Sequence, residues 1–442
     1  MGRQTFRLRG TPVNRQNSCI RQLLPVAALA LAFVAVSAIA LYASPLCNPR
    51  TFGAKGDGVA KDTVAIQAAI DACEKQGGGT VVLSAGTYLS APILLKSNIT
   101  LQLDKGATLL GSPDHAEYPA KTEFREPGLQ ALVSAVNATN VAITGEGIID
   151  GAGESWWVIA RSVKNAGVMG NDHPRPRLVV FDHCRHVRVE GVTIQNSPMW
   201  QLVPYYSDDV IIRNAKFLAP THSPNTDAID PFSSSHVVID HVFADVGDDD
   251  VAIKSGAINS PGPDDPSRDI TITDCTFLHG HGLSIGSEVA GGARNIRAER
   301  IHFEGTDNGI RVKANRDRGN DVGNFVFRDI TMKGVKNAVI ISEYYPKVMP
   351  AEGEAAQPVT RLTPHFHDIV IENVTATGST SAGAIVGLPE SPVAGVVLRN
   401  VNISAQTGLV IGYADVSGEG VVVKAEKGQA IEKLVGAKVS LR

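Results

Sequence analysis

The chain has 442 residues, of which 43% are hydrophobic, and a formal net charge of −4. This apolar content is high enough for a large core, so the composition excludes a disordered chain. The balance of charges predicts no broad basic surface, and nucleic acid is therefore not an expected partner.

The N-terminus predicts export. An apolar run, 23–43, follows a stretch without acidic residues, and Ala38 and Ala40 offer a small-residue cleavage site. We therefore expect a signal peptide at 1–43, a mature domain at 44–442, a secreted or periplasmic protein and no stable membrane association after cleavage. The run is also long enough to span a bilayer, so an uncleaved anchor stays open. The bases before the run are Arg3, Arg7, Arg9, Arg15 and Arg21.

Four cysteines remain in the predicted mature chain, which are too few and too scattered for a disulfide framework. Cys184 and Cys275 lie in strand-like segments, and we expect them to be buried. A Cys47–Cys73 bridge is one option, but pairing does not follow from sequence. The spacing of cysteines and histidines resembles no metal site, so no metal is expected.

One strong helix is predicted after Asp62, which we expect to cap its N-terminus. Apolar residues recur at helical spacing, and the glycines at 77–79 are expected to end the helix. A single amphipathic helix ahead of many strands has a clear use, because it can cover the open end of a solenoid. The apolar stripe consists of Ile66, Ala69, Ile70 and Cys73.

From Thr80 onward, one short template recurs. A polar or small residue opens it, apolar residues alternate, a polar pair makes a corner, and the alternation resumes. Most copies begin about 23 to 33 residues apart, the spacing of stacked coils. We therefore predict an all-β fold, a single right-handed parallel β-helix of roughly ten coils with an N-terminal capping helix. The copies are 98–103, 140–143, 186–194, 209–217, 236–243, 269–277, 295–303, 324–332, 368–376 and 395–403.

Longer loops interrupt the repeats, and insertions in a solenoid tend to gather on its binding face. Trp156, Trp157, Tyr344 and Tyr345 lie in two of these loops. They are candidates for stacking on sugar rings at the rim of a cleft, or they pin their own loops. The loops are at about 111–131, 151–178, 256–268 and 343–366.

Four polar clusters within 225–313 are spaced at about one coil each, so we expect them to stack on one face. When two carboxylates are neighbours, the charge of one raises the pKa of the other. Glycosidic hydrolysis requires such a pair, because one carboxyl group acts as the acid and the other as the base. A histidine between glycines can sit close to them, and two bases two apart on a strand share a face. The clusters are Asn225-Thr226-Asp227, Gly247-Asp248-Asp249, Gly280-His281-Gly282 and Arg311-Val312-Lys313.

In this order, the clusters resemble the four motifs of glycoside hydrolase family 28, the polygalacturonases and their relatives. The resemblance covers nearly the whole mature chain, looks like the bacterial branch, and implies a right-handed parallel β-helix. It extends to FGAKGDG at 52–58, LKSNITL at 95–101 and Asn196-Ser197-Pro198 with Trp200.

The resemblance implies an inverting hydrolase of α-1,4-galacturonosidic bonds. Asp248 would protonate the leaving oxygen, Asp227 and Asp249 would activate water, and His281 would tune the acid. The substrate would be a pectic polysaccharide or an oligogalacturonide, without a cofactor, and we expect a monomer. Arg311 and Lys313 would hold the galacturonate carboxylate, while Asn225 and Gly280 would shape the site.

Two residues depart from the family pattern: Ala228 replaces the usual Gly, and Asp250 stands where many members have Cys. Ala228 is tolerable if its φ is negative, and we expect Asp250 to lie on the side of Asp248 unless the turn re-aims it. Three alternatives remain: a rhamnogalacturonan or xylogalacturonan hydrolase, a pectate-lyase-like enzyme, or a non-catalytic β-helix protein. The insertions at 151–178 and 256–268 favour exo attack.

Overall fold

The computed structural model describes residues 45–123, 126–165, 173–256 and 265–442. Alternating apolar residues become short parallel strands, because every second side chain turns inward. Each predicted template from 98–103 to 395–403 contains such strands, and the predicted parallel β-helix is confirmed. Segment 1–43, with Cys19 and the proposed signal peptide, lies outside the described residues.

The strands, numbered in chain order, are β1 (Leu46–Cys47), β2 (Asp57–Lys61), β3 (Gly79–Leu83), β4 (Gly86–Ser90), β5 (Ile93–Leu95), β6 (Ile99–Leu103), β7 (Ala107–Gly111), β8 (Ala120–Glu123), β9 (Glu126–Leu129), β10 (Val133–Val136), β11 (Thr139–Gly145), β12 (Ile148–Asp150), β13 (Val179–Asp182), β14 (Arg185–Glu190), β15 (Thr193–Gln195), β16 (Leu202–Tyr205), β17 (Asp208–Arg213), β18 (Lys216–Leu218), β19 (Ser235–Asp240), β20 (Phe243–Val246), β21 (Val251–Ile253), β22 (Ser267–Thr273), β23 (Thr276–His279), β24 (Leu283–Ile285), β25 (Ala293–Glu299), β26 (His302–Glu304), β27 (Asn308–Lys313), β28 (Asp321–Lys333), β29 (Asn337–Ser342), β30 (His365–Val386), β31 (Val393–Gly412), β32 (Ala414–Glu419), β33 (Val422–Lys433) and β34 (Lys438–Leu441). The helices are α1 (Thr63–Lys75) and α2 (Glu154–Asn165), with 3₁₀ segments at Pro49–Phe52 and His115–Glu117.

Parallel pairing between successive coils produces three faces. The first runs through β3, β6, β11, β14, β17, β19, β22 and β25. The second runs through β4, β7, β12, β15, β18, β20, β23 and β26. The third contains β5, β10, β13 and β16, and later β21, β24, β27 and β29. Ile229 bridges its two parts by pairing with Leu202 and Val251.

The corners confirm the predicted turn chemistry. Asn98, Asp209 and Asn324 open their templates with φ between 56° and 60°, and Asn214 and Asn373 turn the corners with φ of 52° and 54°. These short polar side chains tolerate the left-handed conformation, which residues with larger apolar side chains avoid. The sequence therefore specifies both the strands and the bends between them.

Helix α1 covers the N-terminal end of the solenoid, as predicted. Its buried residues include the whole predicted stripe, and the helix packs against β1, β3 and β5. The predicted cap is wrong: Asp62 makes no side-chain cap and instead accepts hydrogen bonds from the backbone N–H groups of Lys55 and Gly56. Cys47 and Cys73 form a disulfide that ties α1 to the first strand.

Helix α2 was not predicted, because its short pattern stands between glycines and a long polar segment. Trp156 stacks on His115 with ring centroids 3.5 Å apart, and the indole N–H of Trp157 donates to the carbonyl of Ser197. Both indoles are 4% exposed, so they anchor their own segment rather than line a sugar-binding rim.

The interior is a continuous apolar column, in which Cys184 and Cys275 are buried free thiols, as predicted. Burial raises the pKa of both thiols, which keeps them in the unreactive protonated form. Within the described ranges, no helix is long and apolar enough to cross a membrane.

Candidate active site

The third face brings the four predicted clusters together. Val251 pairs with Leu283, which pairs with Ile310, and Ile229 bridges to Val251. The first three clusters end one or two positions before Ile229, Val251 and Leu283, and the fourth begins directly after Ile310, so coil stacking places their side chains in one column. The backbone agrees, since the N–H of Ala228 donates to the carbonyl of Asp249 across 2.9 Å. The predicted juxtaposition is confirmed by the contacts below.

Asp249 is the most tightly held carboxylate of the column. It forms ion pairs with Arg311 and, at 3.0 Å, with the ammonium of Lys313, and it accepts a 2.9 Å hydrogen bond from the hydroxyl of Ser284. Burial raises the pKa of Asp249, but the charges of Arg311 and Lys313 outweigh burial and hold it well below its usual range. The two cations therefore favour the ionised form of Asp249.

Asp248 faces the solvent side of the same turn. Its side chain is 21% exposed, against 2% for Asp249, and its Oδ1 lies 2.9 Å from Nδ1 of His281. Burial lowers the pKa of His281, but the hydrogen bond and charge of Asp248 outweigh it and raise that pKa. Nε2 of His281 lies 3.5 Å from Asp307. A proton can thus be held between an accessible carboxylate and an imidazole.

The glycines around His281 permit this close approach. Gly280 has a φ of +62°, and a Cβ there would lie 2.5 Å from the carbonyl oxygen of Asp248. A Cβ on Gly282 would lie 1.9 Å from the carbonyl oxygen of Asn308. The N–H of His281 donates to the carbonyl of Asp248 across 2.7 Å. Position 280 therefore requires glycine, because a side chain there would collide with the backbone of Asp248 on the preceding coil.

Asp227 lies deeper than its neighbours. It is 3% exposed, and its Oδ2 lies 3.8 Å from the ammonium of Lys254. Burial raises the pKa of Asp227 well above its usual range, and the charges of Asp230 and Asp248 raise it further. The column therefore contains one carboxylate that is held ionised, Asp249, and one that keeps its proton to higher pH, Asp227.

Asn225 lies at the mouth of the column. It adopts a φ of 57°, and its amide N–H lies 3.5 Å from Oδ2 of Asp248. Arg175 holds it in place by donating to its side-chain oxygen across 2.7 Å and to the carbonyls of Pro198 and Pro224. Burial lowers the pKa of Arg175 to about 10. Asn225 is thus fixed from behind by a half-buried cation.

Arg311 and Lys313 share one face of β27, as predicted, and both are buried. The Nε of Arg311 donates to Ser284 across 2.8 Å, and the ammonium of Lys313 lies 5.1 Å from the ring centroid of Tyr345. Tyr345 is thus the one aromatic of the four predicted candidates that borders the site. Tyr344 is 6% exposed and packs beside Met349 in a separate cluster.

The two departures from the family pattern have separate outcomes. Ala228 is fully buried without a positive φ, so the condition for tolerating its methyl group is met. Asp250 is fully buried, and its Oδ2 accepts from the N–H of Gly282 across 3.0 Å. The expectation that Asp250 lies with the accessible Asp248 is wrong, because the turn re-aims it inward.

Several site residues were not predicted. Asp230 is fully buried, and neither of its carboxylate oxygens has a hydrogen-bond partner among the described residues. Lys254 lies 3.4 Å from Glu288 and 4.9 Å from the ring centroid of Trp200. An Asp three residues after Asp227 and a Lys directly after the apolar strand β21 were visible signals. Arg175 carried no signal, because its loop has no repeat to place it.

The protein combines a parallel β-helix with a site on its outer face that contains paired carboxylates, a histidine and two buried cations. This combination is typical of the class of β-helical glycosidases. The family model described as Glycosyl hydrolases family 28 matches residues 73–417. The chain therefore belongs to glycosyl hydrolases family 28, and it is a glycosidase. The predicted resemblance is confirmed.

The chain is similar to several polygalacturonases. A probable polygalacturonase of Vitis vinifera is 31% identical over 80% of this chain and 73% of that protein. An endo-polygalacturonase of Pectobacterium carotovorum subsp. carotovorum is 30% identical over 78% of this chain and 85% of that protein. The crystal structure of a hyperthermoactive exopolygalacturonase from Thermotoga maritima is 30% identical, covers 87% of this chain and 93% of that chain, and gives a TM-score of 0.74.

Proposed function

We propose that this protein is a pectin-degrading glycoside hydrolase that cleaves α-1,4-galacturonosidic bonds of polygalacturonate with inversion. Its family and its polygalacturonase relatives support this substrate class. The observation that carries the mechanism is the contrast between adjacent carboxylates. Asp249 is pinned in its ionised form by Arg311 and Lys313, while Asp248 reaches solvent against His281.

In this mechanism Asp248 gives its proton to the departing glycosidic oxygen. His281 lies within hydrogen-bond distance and controls when that proton is available. A water attacks the anomeric carbon from the opposite side, so the C–O bond breaks as the new bond forms and the configuration inverts.

The attacking water loses its proton to the carboxylates behind Asp248. Asp249 has a lowered pKa, which makes it a weak base but a constant negative charge that orients the water. Asp227 has a raised pKa, and the group of higher pKa is the better proton acceptor once it is ionised. We therefore assign the proton to Asp227 and the orientation of the water to Asp249.

Arg311 and Lys313 are proposed to bind the substrate carboxylate. They already neutralise Asp249, so the galacturonate group would share them. A guanidinium has five N–H donors in a planar fork, which suits two carboxylates at once. Gly280 and Asn225 shape the same subsite.

The substrate assignment is tested on a panel of polygalacturonate, rhamnogalacturonan and xylogalacturonan. New reducing ends on polygalacturonate alone support the proposal, and a preference for a branched polymer favours the alternative hydrolase. An unsaturated, ultraviolet-absorbing product that a chelator abolishes would identify a lyase. Binding without new reducing ends on every polymer would favour a non-catalytic protein.

Exo attack remains a prediction. The insertions on which it rests, 151–178 and 256–268, include residues 166–172 and 257–264, which lie outside the described residues. Monomer or dimer as the first product supports exo attack, and a mixed series of oligomers contradicts it.

Export and a monomeric state also remain proposals. N-terminal sequencing of the protein recovered outside the cytoplasm should begin near Ser44 if segment 1–43 is a cleaved signal peptide. An N-terminus at Met1 in a membrane fraction would support the anchor instead. Light scattering in solution tests the monomer.

A further inference from the structure

A second cluster of ligand-type side chains lies outside the candidate active site. Asp321, His365 and His367 each offer one atom, and these atoms all lie within 4.8 Å of one another. We propose that these three residues bind a divalent cation of the zinc class, independently of glycoside hydrolysis.

The backbone register places the three side chains on one outer surface. Strands β28 and β30 are paired so that Asp321 lies opposite His365 and Gly323 opposite His367. Phe366, between the two histidines, is fully buried, so alternation turns both histidines outward. Two histidines two apart on a strand, with a carboxylate on the adjacent strand, can therefore converge on one point.

Gly323 makes room for the imidazole of His367. A Cβ at position 323 would lie 2.7 Å from Cε1 and 2.8 Å from Nδ1 of His367. The ring thus rests over the glycine backbone, where any other residue would displace it. This arrangement orients His367 toward Asp321, since Nε2 lies 3.0 Å from the Asp321 carboxylate.

A further carboxylate supports His367 from its other nitrogen. Nδ1 of His367 lies 2.8 Å from Oδ2 of Asp368. Asp368 adopts a φ of 51°, which breaks the alternation and returns its side chain to the same surface as His367. A carboxylate on one imidazole nitrogen fixes the tautomer that presents the other nitrogen to a metal, a common feature of zinc sites.

The donor set decides the class of cation. Two imidazoles and one carboxylate suit Zn²⁺, Co²⁺, Ni²⁺ or Cu²⁺, whereas Ca²⁺ and Mg²⁺ take oxygen ligands. With three protein ligands, a water would complete a tetrahedral Zn²⁺ site.

Two other groups of this kind occur among the described residues, but in each of them Arg or Lys side chains already pair with at least one carboxylate. Asp240 and Asp274, beside His241, are paired with Arg213 and Arg300. Asp249, in the group with Asp248 and His281, is paired with Arg311 and Lys313. Asp321, in contrast, pairs with a residue of its own group, His367, and a cation could take the place of that contact.

Such an ion would connect the start of β28 to the start of β30, across the insertion at 343–364. Tyr345 in this insertion lies beside Lys313. Because a bound ion stabilises the state that holds its ligands together, we expect it to stabilise the folded chain and to hold this insertion at its base.

The test uses the purified protein, freed of metal with a chelator and then titrated with Zn²⁺ by calorimetry, with the thermal midpoint as a second readout. We expect His365→Ala and Asp321→Asn each to weaken this binding at least about 10-fold and to remove the Zn²⁺-dependent rise in midpoint. His241→Ala is the matched control, since it removes an exposed histidine from another group, and it should leave both unchanged.

Cobalt provides an independent signal, because Co²⁺ in an imidazole-containing site of low coordination absorbs visible light. The wild type and His241→Ala should show this absorption, and His365→Ala should not. The proposal is overturned if micromolar Zn²⁺ does not bind the wild type, or if His365→Ala and Asp321→Asn bind Zn²⁺ as the wild type does.

Discussion

Nδ1 of His281 lies 2.9 Å from Oδ1 of Asp248, and the backbone N–H of the same histidine donates to the Asp248 carbonyl. The two residues are 33 positions apart in the chain, and one coil of the solenoid brings them together. This pair is the accessible part of the column, whereas the carboxylate of Asp249 beside it is closed off by two cations. The predictions below separate these two environments.

Asp248→Asn should abolish hydrolysis without unfolding the protein. Loss of a general acid typically costs about 10²- to 10⁴-fold in turnover. Because the side chain is partly exposed, we expect the free energy of unfolding to change by less than about 1 kcal/mol. Reducing-end release and urea unfolding measure the two effects. Asp245→Asn, at a surface carboxylate on the same coil, is the control that should retain activity; full activity in Asp248→Asn would remove Asp248 from the mechanism.

Asp249→Asn should reduce both activity and stability. The substitution leaves Arg311 and Lys313, which are 9% and 5% exposed, without their negative partner. Breaking a buried ion pair from one side typically costs about 3 to 5 kcal/mol. Urea unfolding of Asp249→Asn and Asp248→Asn in parallel measures the difference between their free energies of unfolding. Equal stability of the two variants would contradict the proposed burial of the Asp249 network.

The pH profile of kcat/KM should be bell-shaped, with limbs set by Asp227 and His281. Asp227 must lose its proton to act as a base, and its raised pKa places the acid limb above the usual range of an aspartate. His281 stays protonated past its usual pKa of about 6.5, so activity that needs the imidazolium falls as pH rises through the raised value.

His281→Gln should therefore displace the basic limb of this profile. His279→Gln is the matched control, because His279 lies 2.9 Å from a carboxylate, Asp245, on the same coil but at the surface. A basic limb that stays in place in His281→Gln would show that another group controls the acid.

Gly280→Ala should damage the site through the backbone of Asp248. The new Cβ would meet the Asp248 carbonyl at 2.5 Å, whereas at Gly334, with a similar φ of +64°, it would meet nothing within 4 Å. Both variants bear the left-handed strain of about 1 kcal/mol, and only Gly280→Ala adds the collision. We expect a loss of turnover and of thermal stability in Gly280→Ala beyond that in Gly334→Ala. Equal effects would show that conformational strain alone matters.

Asp250→Asn should stabilise the protein more at pH 7 than at pH 4. Burial raises the pKa of Asp250 well above its usual range, so between the unfolded and folded pKa values the native state keeps a proton that the unfolded chain releases. This group therefore costs stability as pH rises through that window, by about 1.4 kcal/mol per pKa unit. An asparagine at position 250 does not titrate, and its side-chain oxygen can still accept the hydrogen bond from the N–H of Gly282. The exposed Asp415→Asn is the control, and no pH-dependent gain in Asp250→Asn would contradict the burial argument.

Periodicity in the sequence was sufficient to predict the fold. The repeated template fixed the coil spacing, and polar residues such as Asn214 marked the corners that later proved to be left-handed. The same spacing placed Asp227, Asp248, Asp249 and His281 in one column, because residues one coil apart must stack.

Features without a period were not predictable in this way. Helix α2 and Arg175 lie in an insertion, where no register relates them to the coils. The inward turn of Asp250 depends on its bond to the N–H of Gly282, which follows from the local bend and not from strand alternation. Asp62 likewise does not cap its helix. Its carboxylate instead accepts hydrogen bonds from two backbone N–H groups of the preceding loop.

Time-resolved proton NMR of polygalacturonate with the purified protein tests the central claim most directly. The account predicts new reducing ends that appear first in the β configuration, from the α-linked polymer, and then equilibrate, without unsaturated sugar signals. First appearance of the α anomer would contradict inversion by Asp248 with Asp227 and Asp249. Unsaturated ends, or an unchanged polymer, would contradict hydrolysis of polygalacturonate itself.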